Sequence, residues 1–149
     1  KEHEAALIKK AIYHLERSVA IHKKYVNGYL NLGVVYFKLK EYDKAKEYYD
    51  KAKQIYPNNV LLKRNMDLLA QTFFNKGMAI GEKNIPEAII WMEKAVSIDS
   101  TNAEFWYNIG GASFTIKDYT KAKNAWSKTV QLKPDHLQAL EGIKALSAQ

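Results

Sequence analysis

The sequence predicts an all-α chain, an α-solenoid of antiparallel helix pairs with about seven helices. Three observations lead there. Residues 26–59 overlay residues 103–136 without a gap, setting Tyr29 on Trp106, Asn31 on Asn108, Leu32 on Ile109, Gly33 on Gly110, Tyr42 on Tyr119, Ala45 on Ala122, Tyr49 on Trp126 and Pro57 on Pro134. Self-similarity over 34 residues marks a helix–turn–helix array, in which each unit buries its apolar face by stacking on the next. The same spacing recurs outside these segments, and the three Pro and seven Gly fall mostly at helix junctions or crossings.

The elements follow in order. Ala11, Leu15, Ser18 and Ile21 repeat the spacing of Ala45, Tyr49 and Ala52, so residues 1–25 predict the second helix of a truncated repeat. Lys1 is not a natural initiator, and the segment reads as a piece of a longer chain. Residues 26–59 predict a full pair. Gly33 and Ala45 are small where the two helices cross closest; Tyr29, Tyr36 and Tyr49 fill the volume around them. Pro57 cannot continue a helix and ends the pair, as Pro134 does later.

Residues 60–102 predict an irregular pair. Ala88, Met92, Ala95 and Asn102 keep the spacing of Ala45, Tyr49, Ala52 and Asn59, which makes residues 85–99 a second helix. Ahead of it, neither Pro nor Gly stands between Val60 and Lys76, and Leu62, Met66, Leu69 and Phe73, then Ile80, hold a three-to-four spacing. One helix over 60–82 follows, about two and a half turns longer than its counterparts. A break near Gln71–Thr72 is the alternative, and either Lys76 or Gly77 takes the small position at the crossing. Residues 103–136 predict the second full pair. Asp135 with Gln138 then reads as a capping box opening a C-terminal capping helix within 137–149. Its buried side carries Leu137, Leu140, Ile143, Ala145 and Leu146.

Tyr29, Leu32-Gly33, Tyr36, Ala45, Tyr49, Ala52 and Pro57 resemble the tetratricopeptide-repeat pattern closely, and so do Trp106, Ile109-Gly110, Ala122, Trp126 and Pro134; Ser113 and Thr129 are mild departures. The resemblance covers the chain as a single array and implies a right-handed superhelix. It further implies that the first helices line a concave groove holding a peptide segment or helix of a partner protein. Transferred position by position, that face is Asn27, Leu30, Asn31, Val34, Phe37 and Lys38 in the first full unit. In the irregular unit it is Phe73, Gly77 and Ile80; in the last it is Glu104, Tyr107, Asn108, Gly111, Phe114 and Thr115. Leu30, Val34, Phe37, Tyr107 and Phe114 would supply apolar contact, Asn31 and Asn108 backbone hydrogen bonds, and Lys38 a charged edge. Chaperone-binding members clamp a carboxylate with Lys and Asn, but Leu30, Val34, Tyr107 and Gly111 occupy the required places.

Composition narrows the function. The net charge is +7, concentrated in residues 1–59, where 12 basic side chains meet 7 acidic ones. Asp43, Glu47 and Asp50 interleave with Lys44, Lys46, Lys51 and Lys53 at ion-pairing distances along a helix. Only Arg17 and Arg64 are arginines, poor provision for reading bases or gripping phosphate, so no specific nucleic-acid partner is expected. The chain has no Cys and no apolar run of membrane-spanning length. It has no phosphate-cradling loop, nucleophile elbow or zinc-binding helix, and no cofactor is expected. His3, His14, His22 and His136 read as surface histidines, and Glu82, Glu87 and Asp99 as helix-end acids. Two functions fit: a non-catalytic scaffold binding a partner in the groove, or a structural or self-association module of a larger, membrane-bound protein acting through the unpaired N-terminal helix.

Overall fold

The computed structural model describes residues 2–148, and among them it contains eight α-helices and no strand. They are α1 (Glu2–Ile21), α2 (Val26–Lys38), α3 (Tyr42–Ile55), α4 (Val60–Ile80), α5 (Ile85–Ile98), α6 (Ala103–Thr115), α7 (Tyr119–Leu132) and α8 (Leu137–Ser147). The expectation of about seven helices in an all-α chain of helix pairs is met by eight. Two compact units divide after Leu69, within α4.

In unit 1, α2 and α3 are antiparallel: Phe37, at the end of α2, meets Tyr42 at the start of α3, and Gly33 sits under Tyr49. A Cβ at Gly33 would overlap the Tyr49 ring, so only glycine permits this approach. Ala45, Tyr49 and Ala52 are buried along one edge of α3, as the spacing predicts. Leu62, Met66 and Leu69 are buried on the first part of α4. By contrast α1 buries only Val19, against Gly28 of α2, and exposes Leu7, Tyr13 and Ile21 by 55%, 54% and 69%.

In unit 2, α6 and α7 repeat the pairing, with Phe114 near Tyr119 and Gly110 under Trp126. Trp126 also packs on α8, where a Cβ at Gly142 would come within 2.6 Å of its ring. Helix α4 is unbroken and ends at Ile80; Gly81–Lys83 form a 3-10 turn before α5. Gly77, not Lys76, takes the crossing position, since a Cβ there would lie 2.8 Å from the Ala88 carbonyl oxygen and 2.9 Å from Met92.

Both full pairs turn in the same way. Lys40 (φ 61°) and Lys117 (φ 63°) adopt the left-handed conformation, each following a helix whose last carbonyls are otherwise orphaned. The Lys40 and Glu41 amides donate to Phe37 and Tyr36, as those of Lys117 and Asp118 donate to Phe114 and Ser113. Helix α3 begins without a side-chain cap, whereas the Asn59, Asn84, Asn102 and Asp118 oxygens accept amides of α4, α5, α6 and α7. The Asn84 side chain also donates through Nδ2 to the Glu87 carboxylate at 3.0 Å, a side-chain contact that braces the cap. The expected cap at Asp135 is displaced by one residue. His136 Nδ1 accepts the Ala139 amide, because the repeat places His136, not Asp135, at the position of Asn59.

Candidate functional site

On α2, Asn27, Asn31 and Lys38 are exposed and Val34 and Phe37 half-buried, along one helical face. Leu30 is not available there: it is 3% exposed and belongs to the buried apolar side chains. Phe73 is likewise a correction. It is fully buried, with its ring 5.7 Å from Trp91, so it is core and not a contact residue. Gly77 is buried under α5, and Ile80 is half-buried at the end of α4.

On α6 the expected residues form a surface with definite geometry. Asn108 donates to the Glu104 carbonyl at 2.8 Å, which holds its side chain along the helix with the amide oxygen left over. A Cβ built on Gly111 would meet nothing within 4 Å. Phe114 is 37% exposed, its ring lying 5.5 Å from Tyr119 and 5.7 Å from Trp126. Tyr107 stacks on His136 at 4.6 Å, and His136 Nε2 lies 3.4 Å from the Glu104 carboxylate. His136 is therefore buried and structural rather than a surface histidine.

Tyr107, Asn108 and Gly111 come together in a cleft of about 530 Å³ in unit 2. Its other walls are Gly81 and Glu82 of the 3-10 turn, Ile85, Ala88 and Met92 of α5, and Ala112 and Thr115 of α6. Glu104, Phe114 and Ile80 are not part of it. Sequence reasoning missed Glu82, Ile85 and Met92 as lining residues; the extended first helix, which delays α5, was the signal that this corner departs from the regular repeat. The cleft offers apolar walls, the spare Asn108 amide oxygen and one carboxylate. Among the described residues, no three His, Cys, Asp or Glu side chains gather as a metal site would require.

Unit 1 carries a tyrosine cluster that was not anticipated. Tyr48 stacks on Tyr36 at 5.4 Å with planes 7° apart, and on Tyr29 at 6.5 Å. The Tyr36 and Tyr48 hydroxyls both donate to Glu16 Oε1 at 3.3 Å, while the Lys44 and Lys51 ammonium groups lie over the Tyr36 and Tyr48 rings at 4.9 and 5.0 Å. Burial, then the Glu16 charge, pushes the Tyr48 phenol up to about 12 and raises that of Tyr36. Burial alone lifts Tyr49 to about 12.

Residues 26–59 and residues 103–136 each match a tetratricopeptide-repeat family profile. The chain is similar to the protein O-mannosyl-transferase TMTC1 of Homo sapiens, 29% identical over 119 residues, and to that of Mus musculus, 28% identical over 119 residues. Each alignment takes in 79% of this chain but only 13% and 12% of the relative, so the chain spans a small part of their length. Among solved structures, YrrB, a tetratricopeptide-repeat protein with an unusual peptide-binding site, is 19% identical with a TM-score of 0.47, covering 95% of this chain and 86% of that one. MamA is 20% identical with a TM-score of 0.45, covering 98% and 80%. Among the described residues no helix is long and apolar enough to cross a membrane. Residues 26–59 and 103–136, the two helix pairs that cross through Gly33 and Gly110, are thus tetratricopeptide repeats.

Proposed function

We propose that this chain is a non-catalytic scaffold that holds a peptide segment of a partner protein against its first helices. The observation that carries the proposal is the cleft beside α6, where Gly111 leaves open space between the apolar walls of Ile85 and Met92 and the amide of Asn108. An extended peptide laid there finds a hydrogen-bond acceptor for its backbone and apolar surface for one or two side chains. On α2, Asn27, Asn31, Val34, Phe37 and Lys38 offer a second surface of the same composition.

Gly111→Glu tests this directly. The position has no neighbour to displace, and any residue other than Pro is a better helix former than Gly, so the fold is retained. Peptides selected from a displayed random library on the native chain should lose at least tenfold in affinity for the variant. Equal affinity would remove the cleft from the proposal.

A second reading makes the array a structural or self-association module of a larger protein. The curated relatives carry a transferase name, and a chain matching 12–13% of them serves, on this reading, as the holding part rather than the transferring part. The apolar face of α1 favours it: Ala11, Leu15 and Ser18 stand where Ala45, Tyr49 and Ala52 are buried, yet none of them is buried. A concentration-dependent rise in sedimentation coefficient, abolished by Leu15→Glu, would select it.

A further inference from the structure

The two repeats differ at Tyr36, Tyr48 and Tyr56, where the first holds an aromatic ring and the second holds Ser113, Ala125 and Lys133. Continuing the overlay pairs Glu16 with Glu93, Tyr29 with Trp106, Tyr36 with Ser113, Tyr48 with Ala125 and Lys51 with Lys128. In unit 1 the Tyr48 ring occupies the space among Glu16, Tyr29 and Lys51, and the cleft that remains is about 380 Å³. In unit 2 the corresponding cleft is about 670 Å³, and Glu93, Trp106, Ala125 and Lys128 all line it. Three walls have been kept, the Tyr48 ring between them has been removed, and Ser113 replaces Tyr36, the ring nearest to Tyr48 in unit 1.

We propose that this cleft binds a tyrosine side chain of a partner polypeptide, in the arrangement that Tyr48 displays within the same chain. The incoming ring lies against Trp106 as Tyr48 lies against Tyr29. Its hydroxyl donates to the Glu93 carboxylate as the Tyr48 hydroxyl donates to Glu16. The Lys128 ammonium covers the ring face as Lys51 does. Lys121 already pairs with Glu93 Oε1 at 2.9 Å, but a carboxylate accepts several hydrogen bonds, and a half-exposed ion pair of this kind is worth little enough to rearrange. Trp106 is anchored for the task, its indole donating to the Ser100 carbonyl at 2.9 Å. The site is separate from the Gly111 cleft and does not rest on it.

The test is a titration of the isotope-labelled chain with N-acetyl-L-tyrosinamide, followed at the Trp106 indole resonance. A saturable shift is expected with a dissociation constant on the order of 1 mM, as befits one small side chain. N-acetyl-L-phenylalaninamide should bind several-fold more weakly, and the phosphorylated tyrosine probe more weakly still, because Glu93 meets its charge. Ala125→Tyr should abolish the shift by filling the cleft from within, whereas Gly111→Glu should leave it unchanged. Should Ala125→Tyr fail to fold, Lys128→Ala and Glu93→Gln decide, each expected to weaken binding at least threefold. No saturable shift up to the solubility limit, stronger binding of the phosphorylated probe, or affinity unaltered in folded Ala125→Tyr or in both charge variants would overturn the proposal.

Discussion

The two full repeats share a crossing and differ in what surrounds it. In residues 26–59 glycine meets Tyr49, and a second tyrosine, Tyr48, extends the cluster through Tyr29, Tyr36 and Glu16. In residues 103–136 glycine meets the larger Trp126, which reaches on to Gly142 of α8, while Ala125 and Ser113 leave the outer cluster empty. The turn geometry at Lys40 and Lys117 is identical in kind. The difference teaches that the repeat pattern constrains the closest approach of the helices and little beyond it. The ring positions one step outward are free to become internal packing in one copy and an opening in the other.

Removing the crossing aromatic should have the largest effect. Trp126→Ala is expected to cost about 3–5 kcal/mol, since it empties a buried position that α6 and α8 share. Tyr49→Ala should fall at the lower end of that range. Urea unfolding of the two variants checks the order, and an equal loss would mean that the α8 contact contributes nothing.

High pH should separate the repeats next. Tyr48 and Tyr49 ordinarily titrate near 10 and are pushed up to about 12 by burial, so the folded state favours the neutral phenols. The stability this gives is fully present below pH 10 and is lost as pH rises from 10 towards 12, where only the unfolded chain has ionised. The counterparts Ala125 and Trp126 do not ionise. Thermal melting at pH 9 and pH 11 should therefore show a fall that Tyr49→Phe reduces, and an equal fall in that variant would place its cause elsewhere.

The smallest effect concerns Ser113, which replaces Tyr36 in the second copy. Its hydroxyl is buried without a hydrogen-bond partner among the described residues. Ser113→Ala should be neutral or stabilise by up to about 1 kcal/mol, read from the urea midpoint. A clear loss would reveal a hydrogen bond through water.

Much of this was legible in the residues. The overlay of Gly33 on Gly110 and of Tyr49 on Trp126 fixed the helix pairs, and the absence of Pro and Gly from Val60 to Lys76 predicted the unbroken α4. The candidate site was less legible, because spacing along one helix cannot say which neighbour covers it. Leu30 and Val34 are both apolar and share a face of α2, yet one is core and the other half-open. Phe73 continued the stripe of Leu62, Met66 and Leu69, a stripe that already marked it as core. His136 took the cap from Asp135 because an imidazole nitrogen accepts an amide as Asn59 does, a substitution that composition rules do not anticipate.

The tryptophans and tyrosines also divide the chain by colour. Trp91, Trp106 and Trp126 all follow Leu69, whereas eight of the ten tyrosines precede it. Indole emission therefore reports on unit 2, and the near-ultraviolet dichroism of tyrosine reports chiefly on unit 1. A single unlabelled sample carries two optical thermometers. Coincident melting curves from the two would demonstrate that the units unfold as one cooperative body.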